Sequence, residues 1–536
     1  MKKTLALILA IVMTIALVAC GGSKTPTSGS GSATGSSDVK VNDITQEIQG
    51  KDDVKVDETK TYKKEITMLY GQTFKTMDPQ EASNGIQDTL YYLVYNTLTN
   101  WNYVTAELDP ELATEWSCDE TGMVWTFKLR NDITFSNGEK FTADDVVFTI
   151  ERQMTTGKTD SATCKMIEKA EAPADDTVVI TLNKSNMDFP YTLGLNKWSI
   201  LNREACEKDA ENGYQVGTGG WRYANCEMGI QISFEKVESS WMWKDIQTPT
   251  EKLTFKINTE PSAREVAVQA GDAQYCHKFN LTNANLFDKD PNVEYKIFAA
   301  ESIDYLGLSS DGKLADINLR NAIGYAIDVQ EIIDMVQDGF GTPCQSFWGP
   351  AQYGLYTGYD TPYGQNLELA KEYLSKSGYP NGVDLTITTI AGEYEEVAKV
   401  VQFQLGQLGI NCTINIVDSP GLAEVIKNGE LEILVYNKSC GSWGDQFRTI
   451  LTYGNGTNRA HYKNDRVMEL LDLALAERDD TQRKAYYQEI QEIVHAEMPY
   501  VPLYYGTQSA LYNKGMSGMI IQPNEKNDFT YAICEE

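Results

Sequence analysis

The chain has 536 residues and a formal net charge of -30, from 46 basic and 76 acidic side chains. Such an excess of negative charge disfavours a polyanionic partner such as nucleic acid. Hydrophobic residues make up 42% of the chain, as in a soluble globular protein, and the ten cysteines include no close C-x-x-C pair of the kind that binds zinc. The sequence therefore predicts neither nucleic-acid binding nor a bound metal or cofactor.

The first twenty residues resemble the export signal of a bacterial lipoprotein. A short positive region, Met1-Lys2-Lys3, precedes an apolar stretch over 5–19 that is too short to span a membrane comfortably. The stretch ends in Leu17-Val18-Ala19-Cys20-Gly21, which is similar to the lipoprotein signal box. The resemblance implies a signal peptide over 1–19 and a lipid anchor on the Cys20 sulfur. A plain signal peptide or an N-terminal membrane helix is the alternative.

Residues 20–60 have the composition of a flexible linker. The stretch 21–37 is rich in Gly, Ser and Thr, and 38–60 is charged with few large apolar residues, so neither can bury enough apolar surface to fold. Forty flexible residues have a root-mean-square reach of roughly 35 Å. We predict a tether that holds the folded part off a membrane. About 475 residues remain, which is too many for one simple core and indicates two or more lobes.

No set of residues indicates catalysis. The three histidines, His277, His461 and His495, lie outside any H-x-x-x-H or H-E-x-x-H pattern. Gly157-Lys158-Thr159 looks like the end of a phosphate-binding loop, but the glycine required five residues earlier is Arg152. The sequence contains no G-x-S-x-G nucleophile elbow. An anchored extracellular hydrolase is therefore the least favoured interpretation.

The first legible elements lie in the N-terminal half. Alternation of apolar and polar residues over 124–129 predicts a strand. Beyond the turn Ser136-Asn137-Gly138, Thr142 followed by Asp145 predicts the capped start of a helix. Further along, apolar residues at helical spacing predict a single helix from about 316 to 336.

The stretch from 367 onward predicts a β-α-β-α-β succession. The predicted helices cover 369–376, 394–408 and 422–427, and the predicted strands cover 385–390, 410–416 and 431–436. Such a succession favours a parallel, doubly wound sheet, in which ligands bind just past the carboxyl ends of the strands. The loop after the third strand, 437–445, carries Gly, Ser, Trp and Asp, which are residues that a binding crevice would use.

Several blocks, taken in order, resemble one family: the bacterial extracellular solute-binding proteins of the oligopeptide, dipeptide and nickel type. The strongest block covers 110–148 and includes Trp125-Thr126-Phe127-Lys128-Leu129-Arg130. Further blocks follow in family order: Met77-Asp78-Pro79, Val216-Gly217-Thr218-Gly219, Gln269-Ala270-Gly271-Asp272, Leu319-Arg320-Asn321-Ala322-Ile323 and Pro499-Tyr500-Val501-Pro502-Leu503-Tyr504. Any one block is weak, but the ordered set is specific.

The resemblance implies an α/β fold of the periplasmic-binding-protein type (type II, with an extra inserted region), in which two lobes close over a ligand. Two chain crossings, near 304–310 and 503–508, would form the hinge. The closed protein, a monomer without enzymatic activity, would deliver its ligand to a membrane permease that is driven by an ATPase. The implied regions are 62–97, 217–305 and 506–536 for lobe I, 98–216 for its inserted part, and 306–505 for lobe II.

The resemblance also implies where a peptide would bind. Family peptide binders place an aspartate shortly after a Gly-Trp pair in the loop, and Asp445 is the matching residue here, with Trp443 and Ser442 beside it. The match is imperfect, because Trp443 stands two residues before Asp445 instead of three. A carboxylate that faces the peptide α-ammonium would contribute roughly 1.5–3 kcal/mol. A local capping role of Asp445 is the alternative.

Three aromatic residues are weaker candidates for ligand contact. They are Phe74, expected to end the first strand facing the cleft, Trp221, which follows Gly219-Gly220, and Trp348, which lies early in lobe II. Core packing is the alternative for each of them.

The predicted function is therefore capture of extracellular oligopeptides or dipeptides at the outer face of the cell membrane. A receptor for a nickel chelate or an oligosaccharide is the alternative. Only three histidines are present, which makes metal capture less favoured, whereas 30 Tyr and 9 Trp keep sugar stacking open.

Overall fold

The computed structural model describes residues 56–81, 85–102, 107–155, 160–244, 246, 248–349, 352–441 and 447–536. The predicted signal peptide, Cys20 and the linker up to residue 55 lie outside this described part. Within the described ranges, no helix is long and apolar enough to cross a membrane.

The strands are numbered here in chain order. They are β1 (Glu65–Tyr70), β2 (Thr99–Asn102), β3 (Glu107–Pro110), β4 (Ala113–Cys118), β5 (Val124–Leu129), β6 (Ile167–Ala174), β7 (Thr177–Leu182), β8 (Trp221–Glu227), β9 (Gln231–Lys236), β10 (Lys252–Ile257), β11 (Tyr275–His277), β12 (Val293–Leu308), β13 (Thr342–Pro343), β14 (Val383–Ile390), β15 (Ile410–Val417), β16 (Ile433–Ser439), β17 (Tyr500–Asn513), β18 (Met516–Ser517) and β19 (Ile533–Cys534).

The α-helices are numbered in the same way. They are α1 (Gly85–Val94), α2 (Ala143–Thr155), α3 (Ser161–Met166), α4 (Phe189–Thr192), α5 (Arg203–Lys208), α6 (Pro261–Gln269), α7 (Ala284–Phe287), α8 (Ile317–Gly324), α9 (Val329–Val336), α10 (Leu367–Lys376), α11 (Glu393–Gly406), α12 (Ser419–Lys427), α13 (Arg448–Leu451), α14 (Asp465–Ala476) and α15 (Asp480–Glu497).

One long sheet connects the two lobes. Its order is β15-β14-β16-β12-β17-β11-β1-β10-β9-β8, and β13 pairs with β17. The long strands β12 and β17 form an antiparallel central pair whose register shifts between Ala299 and Ile303. A register shift of this kind bends a strand locally. The predicted hinge crossings near 304–310 and 503–508 fall on this pair or at its end.

The predicted β-α-β-α-β succession is confirmed by β14, α11, β15, α12 and β16. Strand β14 pairs in parallel with both β15 and β16. Helix α11 packs on the face of the sheet that buries Ile433, whereas α12 packs Leu422 on the opposite face against Leu434. The helices therefore cover both faces of a parallel sheet, which makes this half a doubly wound α/β lobe.

The predicted capped helix start is also confirmed, because α2 begins at Ala143, directly after Thr142. The Asp145 carboxylate accepts hydrogen bonds from the Thr142 backbone N–H at 3.0 Å and from the Thr142 hydroxyl at 3.2 Å. The side chain at the third helical position thus reaches back to the residue before the helix, as in a capping box.

The predicted single helix over 316–336 is wrong, since the structure divides it into α8 and α9. The Asp328 backbone is extended between them, and its side chain accepts a hydrogen bond from Glu331 N–H as the cap of α9. Gln404 on α11 holds both backbone groups of Asp328: its Oε1 accepts from Asp328 N–H, and its Nε2 donates to Asp328 O. A contact distant in sequence therefore supplies the partners that a continuous helix would have supplied.

The position predicted for Phe74 is wrong as well. Strand β1 ends at Tyr70, and the chain bends at Gly71, where a Cβ atom would lie 2.9 Å from Arg264 Nη1. Phe74 lies beyond this bend and is buried in a core cluster that also contains Trp221.

Candidate ligand-binding site

The predicted binding loop follows the carboxyl end of β16. Ser442, Trp443 and Asp445 lie outside the described residues, but both ends of the loop are described. Before it, Cys440 N–H donates a hydrogen bond of 2.9 Å to Glu301 O on β12. After it, Phe447 is buried. The loop is therefore anchored next to the register shift of β12.

Aromatic rings support the end of the loop in lobe II. The Trp348 ring stacks on the Phe447 ring with a centroid distance of 4.4 Å and an interplanar angle of 22°. The Lys438 ammonium also lies over the Phe447 ring, 5.2 Å from its centroid. Trp348 is fully buried and packs against Phe447. Direct contact between Trp348 and a ligand stays a prediction.

Two cations lie together on this side of the cleft. The Arg459 guanidinium covers the Tyr436 ring at 3.8 Å from its centroid, and its Nη1 donates to the Tyr305 hydroxyl at 3.4 Å. Burial lowers the pKa of the Lys438 ammonium, and the charge of Arg459 lowers it further. Within the described part of the chain, neither cation has a carboxylate within 4 Å.

Carboxyl groups line the neighbouring strand β12. Glu301 and Asp304 are both buried, on either side of the point where the register shift ends. Burial raises the pKa of Asp304 to about 8, and the nearby Glu393 carboxylate adds to the effect. Among the described residues, no lysine or arginine pairs with Asp304. Acidic and basic side chains thus lie close to each other where β12 and β16 pair.

The two aromatic candidates from lobe I lie elsewhere. Phe74 and Trp221 share the core cluster of β1 and β8–β10, and both are buried. The Trp221 indole N–H donates to Thr530 O at 3.0 Å, so its polar atom already has a partner. The structure places Trp348 beside the loop and does not bring Phe74 or Trp221 together with it.

A second set of contacts joins the chain directly before α4 to helix α15 and the end of α14. Asp188 pairs with Arg483 at 3.5 Å and accepts a hydrogen bond from the Tyr487 hydroxyl at 3.3 Å. Met187 N–H donates to Leu475 O at 2.7 Å. The side chains of Asp188 and Arg483 are only 4% and 11% exposed. We call these contacts the clasp.

The sequence prediction missed the charged residues of both regions. Lys438 lay within the predicted loop segment, so a lysine directly after an apolar strand was the available signal. Arg459 and the clasp had no local signal, because their partners lie far away in the chain. In the described ranges, no cluster of His, Cys, Asp or Glu could hold a metal ion, and the nine cysteines found there are free thiols.

Comparison with known proteins covers most of the chain. The family described as "Bacterial extracellular solute-binding proteins, family 5 Middle" matches residues 107–460. Among curated relatives, the glutathione-binding protein GsiB of Escherichia coli (strain K12) is 26% identical over 496 residues, which cover 88% of this chain and 94% of the relative.

Solved structures agree with this match. The ABC transporter-associated periplasmic binding protein DppA of Helicobacter pylori, in complex with the peptide STSA, is 25% identical, with a TM-score of 0.71 over 89% of this chain and 99% of that protein. HbpA2 of Haemophilus parasuis is 23% identical, with a TM-score of 0.80 over 88% of this chain and all of that protein. These neighbours have the two-lobed binding-protein fold.

Proposed function

This chain belongs to the bacterial extracellular solute-binding proteins of family 5, and from that premise we propose that it captures oligopeptides or dipeptides outside the cell for an ABC importer. Proteins of this family are the substrate-binding components of such importers, and its relatives are binding proteins and not enzymes. The ligand would lie between the two lobes, at the carboxyl end of β16.

The observation that carries the proposal is the Lys438 cation next to the loop. It is partly buried, it lies on an aromatic ring, and no carboxylate of the described chain pairs with it. A partly buried ammonium of this kind favours a ligand that brings its own carboxylate. Every peptide has one at its C-terminus, whereas a neutral oligosaccharide has none.

The loop supplies the group for the other end of a peptide. Asp445 would accept hydrogen bonds from the α-ammonium, with Trp443 and Ser442 beside it. The sheet edges around a cleft can pair with an extended peptide backbone whatever its side chains are. The solved structure of the Helicobacter pylori relative in complex with the peptide STSA supports a peptide ligand.

The position of the protein in the cell follows from its N-terminal segment. We propose that the signal peptide over 1–19 is removed, that Cys20 carries the lipid, and that residues 20–60 tether a monomer to the outer face of the cell membrane. A lipid-anchored receptor stays within reach of its permease. The permease and its ATPase are then the protein partners.

Calorimetric titration with a pool of two- to five-residue peptides tests the proposal, using the protein purified from membranes in detergent. We expect saturable heat, and an Asp445→Ala variant should bind the same pool about 10- to 100-fold more weakly. Asp334→Ala is the matched control, because Asp334 is exposed on α9 and contacts only Gln330. Saturable binding of a neutral oligosaccharide, with no heat from peptides, would contradict the proposal.

A further inference from the structure

A groove runs along helix α12 on the outer face of the β14–β16 sheet. It has a volume of about 600 Å³. Its lining comes from α12, from residues of the segment 453–461 and from Tyr436 on β16. Leu422 and Ile426 make the α12 wall apolar.

The charges of the groove are of one sign. Its basic lining residues are Lys427, Arg459 and His461, and no carboxylate lines it in the part of the chain that the structure describes. His461 already has a partner, since its Nδ1 lies 2.8 Å from Asp311 Oδ2. The chain has a net charge of -30, so a groove lined by basic side chains and by no described acidic side chain is a local exception. It therefore attracts an anionic group.

Arg459 is held in one orientation inside this groove. Its guanidinium carbon lies over the Tyr436 ring, 3.8 Å from the centroid, and the Tyr394 ring stacks on Tyr436 at 5.6 Å. The hydrogen bond to the Tyr305 hydroxyl occupies only one of its donors. A guanidinium that is fixed in this way loses little conformational freedom when a carboxylate pairs with it.

The groove also reaches the proposed peptide site. Tyr436 and Lys438 project from the same face of β16, two residues apart, and Arg459 is close enough to lower the pKa of Lys438. A peptide whose C-terminal carboxylate binds Lys438 would have a neighbouring side chain within reach of Arg459.

We propose that this groove is a specificity subsite for an acidic side chain of the ligand. The inference rests on the proposed capture of peptides and narrows it to peptides that contain Glu or Asp. The methylenes of a glutamate would pack against Leu422 and Ile426, and its carboxylate would pair with Arg459. A glutamine of the same shape would keep the packing and lose the charge.

Titration with matched tripeptides tests the subsite, again with the full chain in detergent. The probes are Ala-Ala-Ala and its variants that carry either Glu or Gln at each position. At one position or more, we expect the Glu peptide to bind at least about tenfold more tightly than the Gln peptide, as for a charge-assisted contact. Arg459→Gln should remove this preference, which is measured as the ratio of the Glu and Gln peptide affinities within that variant.

Two further variants leave Arg459 unchanged, so their effect on the Glu preference does not depend on whether Arg459→Gln folds correctly. Ala423→Glu places a carboxylate at an exposed position of α12 that lines the groove, so it should also reduce the preference for Glu peptides. Lys371→Gln makes the same charge change as Arg459→Gln on the exposed surface of α10 and should keep the preference.

The outcomes separate the two proposals. Peptides that bind with equal affinity for Glu and Gln at every position overturn the subsite and leave peptide capture intact. A Glu preference that persists in Arg459→Gln overturns the role of Arg459. If no peptide binds at all, the proposed function itself falls, and the subsite falls with it.

Discussion

Arg483 and Arg459 illustrate two different uses of a charge. Arg483 on α15 pairs at 3.5 Å with the buried carboxylate of Asp188, which lies directly before α4. Arg459 lies over the Tyr436 ring, and no carboxylate of the described chain forms an ion pair with it. Both guanidinium groups rest on tyrosine rings, since Arg483 lies 4.5 Å from the centroid of Tyr353.

The difference shows which charges serve the structure and which remain for a ligand. A buried ion pair with additional hydrogen bonds resists the loss of either partner, because the remaining charge would be buried alone. A cation without such a partner gains its full interaction only when an anion arrives. The carboxyl groups divide in the same way, since Asp188 has its arginine and Asp304 has no cation in the described residues.

Breaking the clasp should have the largest effect. We expect Arg483→Met to lower the free energy of unfolding by about 3–5 kcal/mol, because Asp188 would stay buried without its arginine. Urea unfolding measures the loss, and small-angle X-ray scattering detects any opening of the lobes.

The neighbouring lysine is the control for this variant. Lys484 pairs with Asp480 on the surface, where the side chains are 53% and 57% exposed, so Lys484→Met should cost about 0.5 kcal/mol or less. Equal losses in the two variants would refute the distinction between the clasp and a surface pair.

Removing a cation of the ligand site should act on affinity instead. We expect Lys438→Met to weaken peptide binding about 10- to 100-fold, because the C-terminal carboxylate would lose its cation. The melting temperature should stay the same or rise slightly, since a partly buried ammonium is removed. Titration and thermal melting measure the two effects, and a lower melting temperature with unchanged affinity would make Lys438 a structural residue.

The buried Asp304 carboxyl group should have a smaller, pH-dependent effect on the free energy of unfolding. The pKa of Asp304 is about 8 in the folded protein against 3.8 for the ordinary side chain, so between these values the folded state binds one more proton than the unfolded state. Stability from this group is therefore fully present below about pH 4 and is lost as the pH rises to about 8.

An Asp304→Asn variant tests this slope. In the unchanged protein, this group should lower the free energy of unfolding by about 1 kcal/mol for each pH unit between pH 5 and 7, and the variant should lack this contribution to the slope. Thermal unfolding at several pH values gives the slope for both proteins. Two parallel curves would show that Asp304 is ionised in the folded state.

Local patterns predicted the elements well wherever the partners of the backbone are close in the chain. The strand over 124–129 and the parallel unit β14–β16 follow from residue periodicity, and the start of α2 follows from Thr142 and Asp145. The break between α8 and α9 did not follow, because Gln404 supplies the decisive hydrogen bonds from 76 residues away. Apolar periodicity alone continues through such a break.

The candidate site was predictable only in part. The loop after β16 followed from the rule that ligands bind at the carboxyl ends of parallel strands. Trp348 beside that loop was named in advance, yet its place beneath Phe447 depends on packing. The groove and Arg459 had no signal in the sequence, since neither spacing nor composition distinguishes this arginine from one on the surface.

The sequence by itself determined the family and the α/β class, because these depend on ordered blocks and residue periods. Only the tertiary structure decided which charges have partners. Asp188 and Arg483 meet across 295 residues, and Asp304 lies buried beside Glu393 with no cation to pair with. The energy of a charge depends on its distance from other charges and on its access to water, and neither quantity is encoded in the neighbouring residues of the chain.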